Sequence, residues 1–332
     1  MGSTEKDRLP ILEARELVKR FRVRQSLARH TVVTAVNGVS FSVRPRETVA
    51  LVGESGCGKT TVGKLALGFL PPDAGQVRFR DKPLNALSGE ERLAYRRSVQ
   101  MVFQNPLASF NPMMSIGATL LDALRLRNDL SRSEKEAEVI RLLQRVGLEP
   151  EMATRYPSEM SGGQLQRVGV ARALAPGPSF IFLDEPTSAL DMSVRGQVIN
   201  LLLDLQADRG LAYLLVSHDL RVVRAMAHYM LVMYLGQVLE EGPVEEVLSR
   251  PLHPYTQSLL AATLLGFLAQ APAVRRVRVR GEVLQLPPGY HGCSLYRRCP
   301  LVAERCQQEP QRLAEVSPGH WVRCWRVLEG AC

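Results

Sequence analysis

The residues of this chain with the clearest chemical potential lie in a short loop. Gly53, four residues of any type, then Gly58-Lys59-Thr60 follow the apolar run "TVALV" and precede a helical pattern. The spacing G-x-x-x-x-G-K-[ST] suits a phosphate-binding loop. Its glycines let several backbone N–H groups turn inward, and a helix starting near Lys59 adds its positive end. Lys59 would reach β- and γ-phosphates, and the Thr60 hydroxyl would bind Mg²⁺. Alone, the loop says nucleoside triphosphate. A kinase, a GTPase or a motor could own it.

A second group of residues suggests what is done with the phosphate. "FIFLDEP" ends an apolar run in Asp184-Glu185. Asp184 can hold Mg²⁺ through water, and Glu185 can polarise an attacking water. The competing reading is that Glu185 only caps the next helix. A third group is the set of tail cysteines. Five of the six cysteines fall in the last forty residues, and the sixth, Cys57, sits in the loop as a small residue. Cys293, Cys299, Cys306 and Cys324 have five, six and seventeen residues between them, and Cys332 lies outside the set. Tetrahedral zinc favours tighter pairs, disulfides suit other compartments, and wide spacing suits an iron–sulfur core. Zinc, unliganded thiols and a [4Fe–4S] cluster all remain open. Arg297, Arg298 and Arg305 would offset thiolate charge.

The elements that position these groups read as α/β. Val39, Phe41 and Val43 alternate in a strand with one buried side. "PPDAG" is a turn and "QVRFR" an alternating strand. From about 88 to 175 the pattern turns helical, clearest in "SEKEAEVIRLLQRVGL" (133–148) with Val139, Leu142, Leu143 and Val146 on one face. "SFIFLDEP" and "LAYLLVSHD" are buried strands. Strands alternating with helices indicate a parallel sheet, with the helical stretch inserted as a lobe.

Composition sets limits. A chain of 332 residues suggests roughly two domains, and 45% hydrophobic residues is ordinary for a soluble protein. "LLAATLLGFLA" (259–269) is too short to span a bilayer, which needs ~20 apolar residues. No basic-then-apolar leader opens the sequence, so a cytosolic chain that docks on a membrane protein is expected. The net charge of +9 includes "VRRVRVR" (274–280), which suits a solvated strand face better than nucleic acid or anionic headgroups.

Between the loop and Asp184 lies "MSGGQLQRVGVARAL" (160–174). Here the chain resembles the nucleotide-binding subunit of an ATP-binding cassette transporter. Ser161-Gly162-Gly163-Gln164 matches that family's signature motif, with Met160 where Leu is usual. "VFQNP" places Gln104 at the Q-loop, "SALD" places Asp191 in the D-loop, and His218 in "LLVSHD" is the switch histidine. Phe21 in "LVKRFRV" matches the aromatic that stacks on adenine, with ordinary core packing as the alternative.

The resemblance implies a P-loop NTPase core with an antiparallel β subdomain, an inserted helical lobe and a small cysteine-containing C-terminal extension. Residues 1–250 would be the cassette and 251–332 the extension. Gly53, Ser55, Gly56, Cys57, Gly58, Lys59, Thr60 and Thr61 would hold ATP, with Mg²⁺ on Thr60, Gln104 and Asp184. Glu185, His218 and Gln104 would serve hydrolysis. Ser161 to Gln164 would face the γ-phosphate on a second cassette, and the resemblance implies a different chain as that partner, forming a heterodimer.

The narrower resemblance is to the oligopeptide/dipeptide permease group, through "VGESGCGKTT", "MVFQNPLASFNPMMSIG" and "PLHPYTQSLLAA" (251–262). It implies an ATPase on the cytoplasmic face of the inner membrane, two membrane permease subunits, an external substrate-binding protein and no nucleic acid. It also implies a [4Fe–4S] site on the four tail cysteines. Substrates of the group include di- and oligopeptides, nickel and glutathione. A soluble cassette acting on nucleic acid is the remote alternative.

Overall fold

The computed structural model describes residues 9–24, 30–263, 277–282, 286–287 and 290–330. Cys332, the first three residues of the basic run 274–280 and the end of the apolar stretch 259–269 lie outside the described residues. In chain order the strands and helices are β1 (Leu12–Arg24), β2 (His30–Val43), β3 (Thr48–Val52), α1 (Lys59–Ala66), β4 (Ala74–Phe79), β5 (Lys82–Pro83), α2 (Gly89–Ser98), β6 (Val99–Val102), α3 (Ile116–Ala123), α4 (Arg132–Arg145), α5 (Gly162–Leu174), β7 (Phe180–Asp184), α6 (Met192–Arg209), β8 (Ala212–Val216), α7 (Leu220–Met226), β9 (Tyr229–Tyr234), β10 (Gln237–Pro243), α8 (Val244–Ser249), α9 (Pro254–Thr263), α10 (Arg305–Gln308), β11 (Ala314–Ser317), β12 (His320–Val322) and α11 (Trp325–Leu328). The chain divides into two units, Met1–Glu13 with Ser42–Thr48 and Arg78–Val216, and Ala14–Phe41 with Val49–Val77 and Ser217–Cys332.

In the first unit, β6, β7 and β8 run parallel, with Val102 opposite Leu183 and Asp184 opposite Val216. Every residue of β7 and β8 is buried, as expected for strands covered on both faces. Tyr213 is enclosed and satisfies its hydroxyl by donating to the Leu202 carbonyl at 2.9 Å. The helical lobe has its own core, with Ile116, Leu120, Leu124, Leu142 and Leu143 at 1% exposure or less. Ser131 caps α4 in a reciprocal box with Glu134, and Gly147 closes its end at φ 68°. The strand β6 interrupts the region read as helical. Four residues carry too little periodicity to reveal a strand, and burial of Val99, Met101 and Val102 decides it.

In the second unit, β11, β12, β10, β9 and β3 lie in that order. Here β3 pairs parallel with β9, and the pairs β9–β10, β10–β12 and β11–β12 are antiparallel. The parallel sheet expected from alternating strands and helices is thus extended here by antiparallel strands. The cause is a two-residue hairpin: Leu235 and Gly236 take φ 45° and 79°, the twist that joins adjacent antiparallel strands. Also in this unit, β1 lies between β2 and β4, and Val39 lies on a buried face as expected.

The strand β10 anchors the extension. The Glu240 side chain is fully buried and accepts from the N–H groups of Leu252 and His253, each at 2.8 Å, and lies 2.8 Å from His320 Nε2. Its neighbour Glu241 is partly buried near Tyr229 and Arg323. Burial pushes its carboxyl up to about 7, against the opposing pull of the Tyr229 hydroxyl and Arg323. The folded carboxyl thus keeps its proton where the unfolded one has lost it. Stability from this group is present below the ordinary carboxylate value and fades as pH rises to about 7. We predict that Glu241→Gln flattens this fall. Urea denaturation at pH 5 and pH 8 checks it, and equal losses in parent and variant would refute it.

Candidate active site

The loop after β3 is shaped by backbone pressed against backbone. Gly53 has φ 150°, and a Cβ there would lie 2.2 Å from the Met233 carbonyl oxygen. Gly58 has φ 110°, and a Cβ there would lie 2.2 Å from the Ala35 carbonyl oxygen. No side chain fits at either position. The hairpin turn braces the same loop, since the Gly236 N–H donates to the Cys57 carbonyl at 2.9 Å. The Lys59 ammonium is 6% exposed and donates to the carbonyls of Gly53 at 2.8 Å and Glu54 at 2.9 Å. Cys57 Sγ lies 3.7 Å from it, and burial raises the Cys57 thiol above its ordinary value. Ser55 and Gly56 are exposed, and Thr60 and Thr61 fall in the first turn of α1. Helix, glycines and lysine together form a nest for phosphate oxygens. The same unit carries exposed His218, just after β8, and Phe21 on β1. Phe21 is 37% exposed with the Lys19 ammonium 5.9 Å from its ring centre, so it is not a core residue.

The first unit holds the other groups. Asp184 ends β7 and is 5% exposed. Glu185 follows at φ 45°, a left-handed conformation that costs a non-glycine residue roughly 1–2 kcal/mol. Gln104 Nε2 donates to Glu185 Oε2 at 2.8 Å, bringing together two residues separated by 81 positions. The capping alternative for Glu185 is not met, because the next helix, α6, is capped by Asp191, whose carboxylate accepts from the Val194 N–H at 3.0 Å. That bond, and the Ser193 hydroxyl, hold Asp191 below the usual carboxylate range.

Ser161 caps α5. Its hydroxyl oxygen accepts from the Gln164 N–H at 3.3 Å, and Gln164 Oε1 accepts from the Ser161 N–H at 3.0 Å. The two signature glycines differ in purpose. A Cβ on Gly162 would meet nothing within 4 Å, whereas one on Gly163 would lie 2.5 Å from Val194 Cγ1. Gly163 lets α5 approach α6, and Gly162 leaves the exposed end of α5 open.

Comparison with known proteins agrees with this geometry. Residues 36–188 match the ABC transporter family, and residues 239–306 match the oligopeptide/dipeptide transporter C-terminal region. The chain is 43% identical over 307 residues to the di/tripeptide transport ATP-binding protein DppF of Pseudomonas aeruginosa, covering 91% of this chain and 94% of the relative. It is 41% identical over 317 residues to the oligopeptide transport ATP-binding protein AppF of Bacillus subtilis, covering 95% and 96%. The chain belongs to the ABC transporter family. It is an ATP-binding cassette ATPase of the oligopeptide/dipeptide group. A solved post-hydrolysis dimer of the cassette MJ0796 bound to ADP and Pi shares its fold at TM-score 0.62 and 26% identity, covering 70% of this chain and 98% of that one.

The extension of this ABC subunit bears on two expectations from the sequence. Cys293, Cys299, Cys306 and Cys324 do line one pocket, together with His253, Gln311 and Arg326. Its free volume is about 10 Å³, room for about one water molecule. Among the described residues there is no group of three or more His, Cys, Asp or Glu side chains that could hold a metal ion. The expected metal centre is therefore not formed in this arrangement. Burial pushes the Cys293 thiol up to about 12, so it is held as a neutral thiol. The arginines expected to offset thiolate charge have other partners. Arg297 donates to the Tyr296 hydroxyl, Arg298 pairs with Glu54, and Arg305 pairs with Glu309 and Glu329 while stacking on Trp325. Arg326 is the guanidinium at the pocket, and its buried Nε has no hydrogen-bond partner.

Sequence reasoning gave no role to Glu54 or to Tyr255, which lies within "PLHPYTQSLLAA", and gave Arg298 a different one beside the cysteines. The Tyr255 hydroxyl oxygen accepts the Glu54 N–H at 2.9 Å. We predict that Gly58→Val lowers ATP affinity of this cassette by at least about 100-fold, since several phosphate bonds of ~1.5–3 kcal/mol each would be lost. Isothermal titration with ATP checks it, and affinity within about threefold of the parent would refute the loop assignment.

Proposed function

We propose that this chain energises an importer of di- or oligopeptides. The names of its relatives support the substrate class, and the observation that carries the mechanism is the strained Glu185 held by Gln104. Lys59, the loop N–H groups and Thr60 would bind the triphosphate and Mg²⁺, with Gln104 as a further holder of the ion and Asp184 holding it through water. Phe21 stacks on adenine. Glu185 takes the proton of the attacking water, and His218 holds that water against the γ-phosphate. A carboxylate fixed in one orientation loses little entropy as the transition state forms.

The Ser161 hydroxyl accepts a bond from its own helix, which leaves its O–H to donate to a phosphate oxygen on a second cassette. Gly162 leaves room for that phosphate, and Asp191 shapes the adjoining helix start. Two cassettes, which we take to be different chains, close over two ATP molecules. Closure is driven by contacts made only in the closed state. Loss of the γ-phosphate on hydrolysis removes them. Residues 1–250 act as the cassette and 251–332 as its extension. Two membrane permease subunits and an external binding protein complete the importer, with this subunit on the cytoplasmic face. Among the described residues no helix is long and apolar enough to cross a membrane, so the permeases supply the spans.

Glu185→Gln should keep ATP binding and lower turnover by ~10²–10⁴. Phosphate release and nucleotide titration on the same preparation check this, and near-parental turnover would sink the assignment of Glu185 as base.

For the tail we infer a [4Fe–4S] cluster, supported by four thiols that come from separated segments to one pocket with the unsatisfied Arg326 Nε beside it. Cys293, Cys299, Cys306 and Cys324 would hold the cluster as thiolates, in a pocket wider than the present one. The cluster would clamp together a part of the chain with little core of its own. Anaerobically purified protein should contain about four irons and four sulfides per chain. Zinc, or no metal, would overturn the inference and leave the ATPase untouched.

A further inference from the structure

The phosphate loop contains one acidic residue, Glu54, between Gly53 and Lys59. A carboxylate at that place repels a triphosphate. The structure shows what is done with it. Arg298 Nη1 donates to Glu54 Oε2 at 2.8 Å and Nη2 donates to Oε1 at 3.2 Å, a two-pronged bond spanning 244 positions. The Arg298 side chain is 11% exposed and its guanidinium lies 5.6 Å from the ring centre of Tyr234. Its Nε donates to the Arg280 carbonyl at 3.2 Å, and its main-chain N–H donates to the Leu295 carbonyl at 2.8 Å. The guanidinium is therefore held in place before it meets Glu54. Tyr255 takes the Glu54 N–H and packs on Tyr234, ring centres 4.9 Å apart. Both the carboxylate and the N–H of Glu54 thus go to the C-terminal extension, while its carbonyl accepts from Lys59.

We propose that Arg298 is a positioning residue of the nucleotide site: it cancels the Glu54 charge and fixes that residue, so that the extension sets the ATP affinity of the cassette. The proposal rests on reading Gly53–Thr61 as the phosphate loop. The interaction acts on bound ATP in ground state and transition state alike, so it moves KM and leaves kcat nearly unchanged. A released carboxylate several ångströms from a polyphosphate costs about tenfold in affinity at a partly screened site.

The test measures ATP titration and steady-state ATPase on the full chain. Arg298→Ala should raise Kd and KM for ATP about tenfold, and the ratio to parent should shrink as salt rises. Glu54→Gln, which leaves the Arg298 charge unopposed beside the loop, should bind ATP more tightly than the parent at low salt, with the gain shrinking as salt rises. The double variant Arg298→Ala/Glu54→Gln should regain parental affinity, because no charge remains to cancel. Arg298→Lys, which keeps the charge but loses the two-pronged bond and the ring contact, should weaken ATP binding by less than the alanine variant does, and serves if the alanine variant does not fold; weakening equal to that of Arg298→Ala would overturn the charge argument. Equal weakening in Arg298→Ala and the double variant would reduce Arg298 to a packing role and overturn the proposal, as would unchanged affinity in Arg298→Ala. Parental affinity in Lys59→Ala would instead overturn the loop reading itself, and the proposal with it.

Discussion

The close approach of two main-chain carbonyls to the phosphate loop governs the rest of this structure. Met233 on one side and Ala35 on the other occupy the space that side chains at 53 and 58 would need. The loop's curvature is thus set from outside as well as by its glycines. The constraint requires β9 to lie beside β3 and β2 to pass over the loop. The turn at Leu235-Gly236 serves both. Gly236 donates to the Cys57 carbonyl and accepts from the Asn37 N–H, so one residue ties the loop to β2. The backbone of the proposed phosphate loop is thus pinned at Gly53, Cys57 and Gly58.

A different economy operates around Glu185. There the backbone is held in a costly conformation, and Gln104 steadies the side chain. Strain of this kind persists only where surrounding structure over-determines it. The buried strand β7 on one side and the Glu185 N–H bonded to the Val216 carbonyl on the other supply that determination. The two parts of the chemistry therefore rest on opposite means, with exclusion of side chains in the loop and forced placement of one at the carboxylate.

Much of this was readable from sequence because the signals are local. The phosphate loop, the alternation of Val39, Phe41 and Val43, and the apolar face of α4 at Val139, Leu142, Leu143 and Val146 each occupy one short run of residues. The end of β7 at Asp184 could be read for the same reason. What escaped was non-local or too short. β6 has four residues and no period of its own. The β9–β10 hairpin depends on two positive-φ residues, one of them a leucine that gives no turn signal. The arginines near the cysteines invited pairing with thiolates by proximity in sequence, yet Arg298 is claimed by a carboxylate far away in the chain. The four tail cysteines, far apart in sequence, line one pocket. Spacing alone could not say how tightly the pocket closes.

The Arg298–Glu54 pair also bears on the order in which the protein is made. The partners are 244 positions apart, so at ~5–20 residues per second the ribosome needs roughly 10–50 s to deliver the second after the first. Met233 and Gly236, which brace the loop, emerge within that interval, and from then until Arg298 follows the braced loop carries an unneutralised anion. Nascent cassettes would pass through a stage in which nucleotide is held weakly, and full grip would arrive with the last part of the chain. Synthesis from one end thereby carries a built-in delay between having a nucleotide pocket and being able to use it.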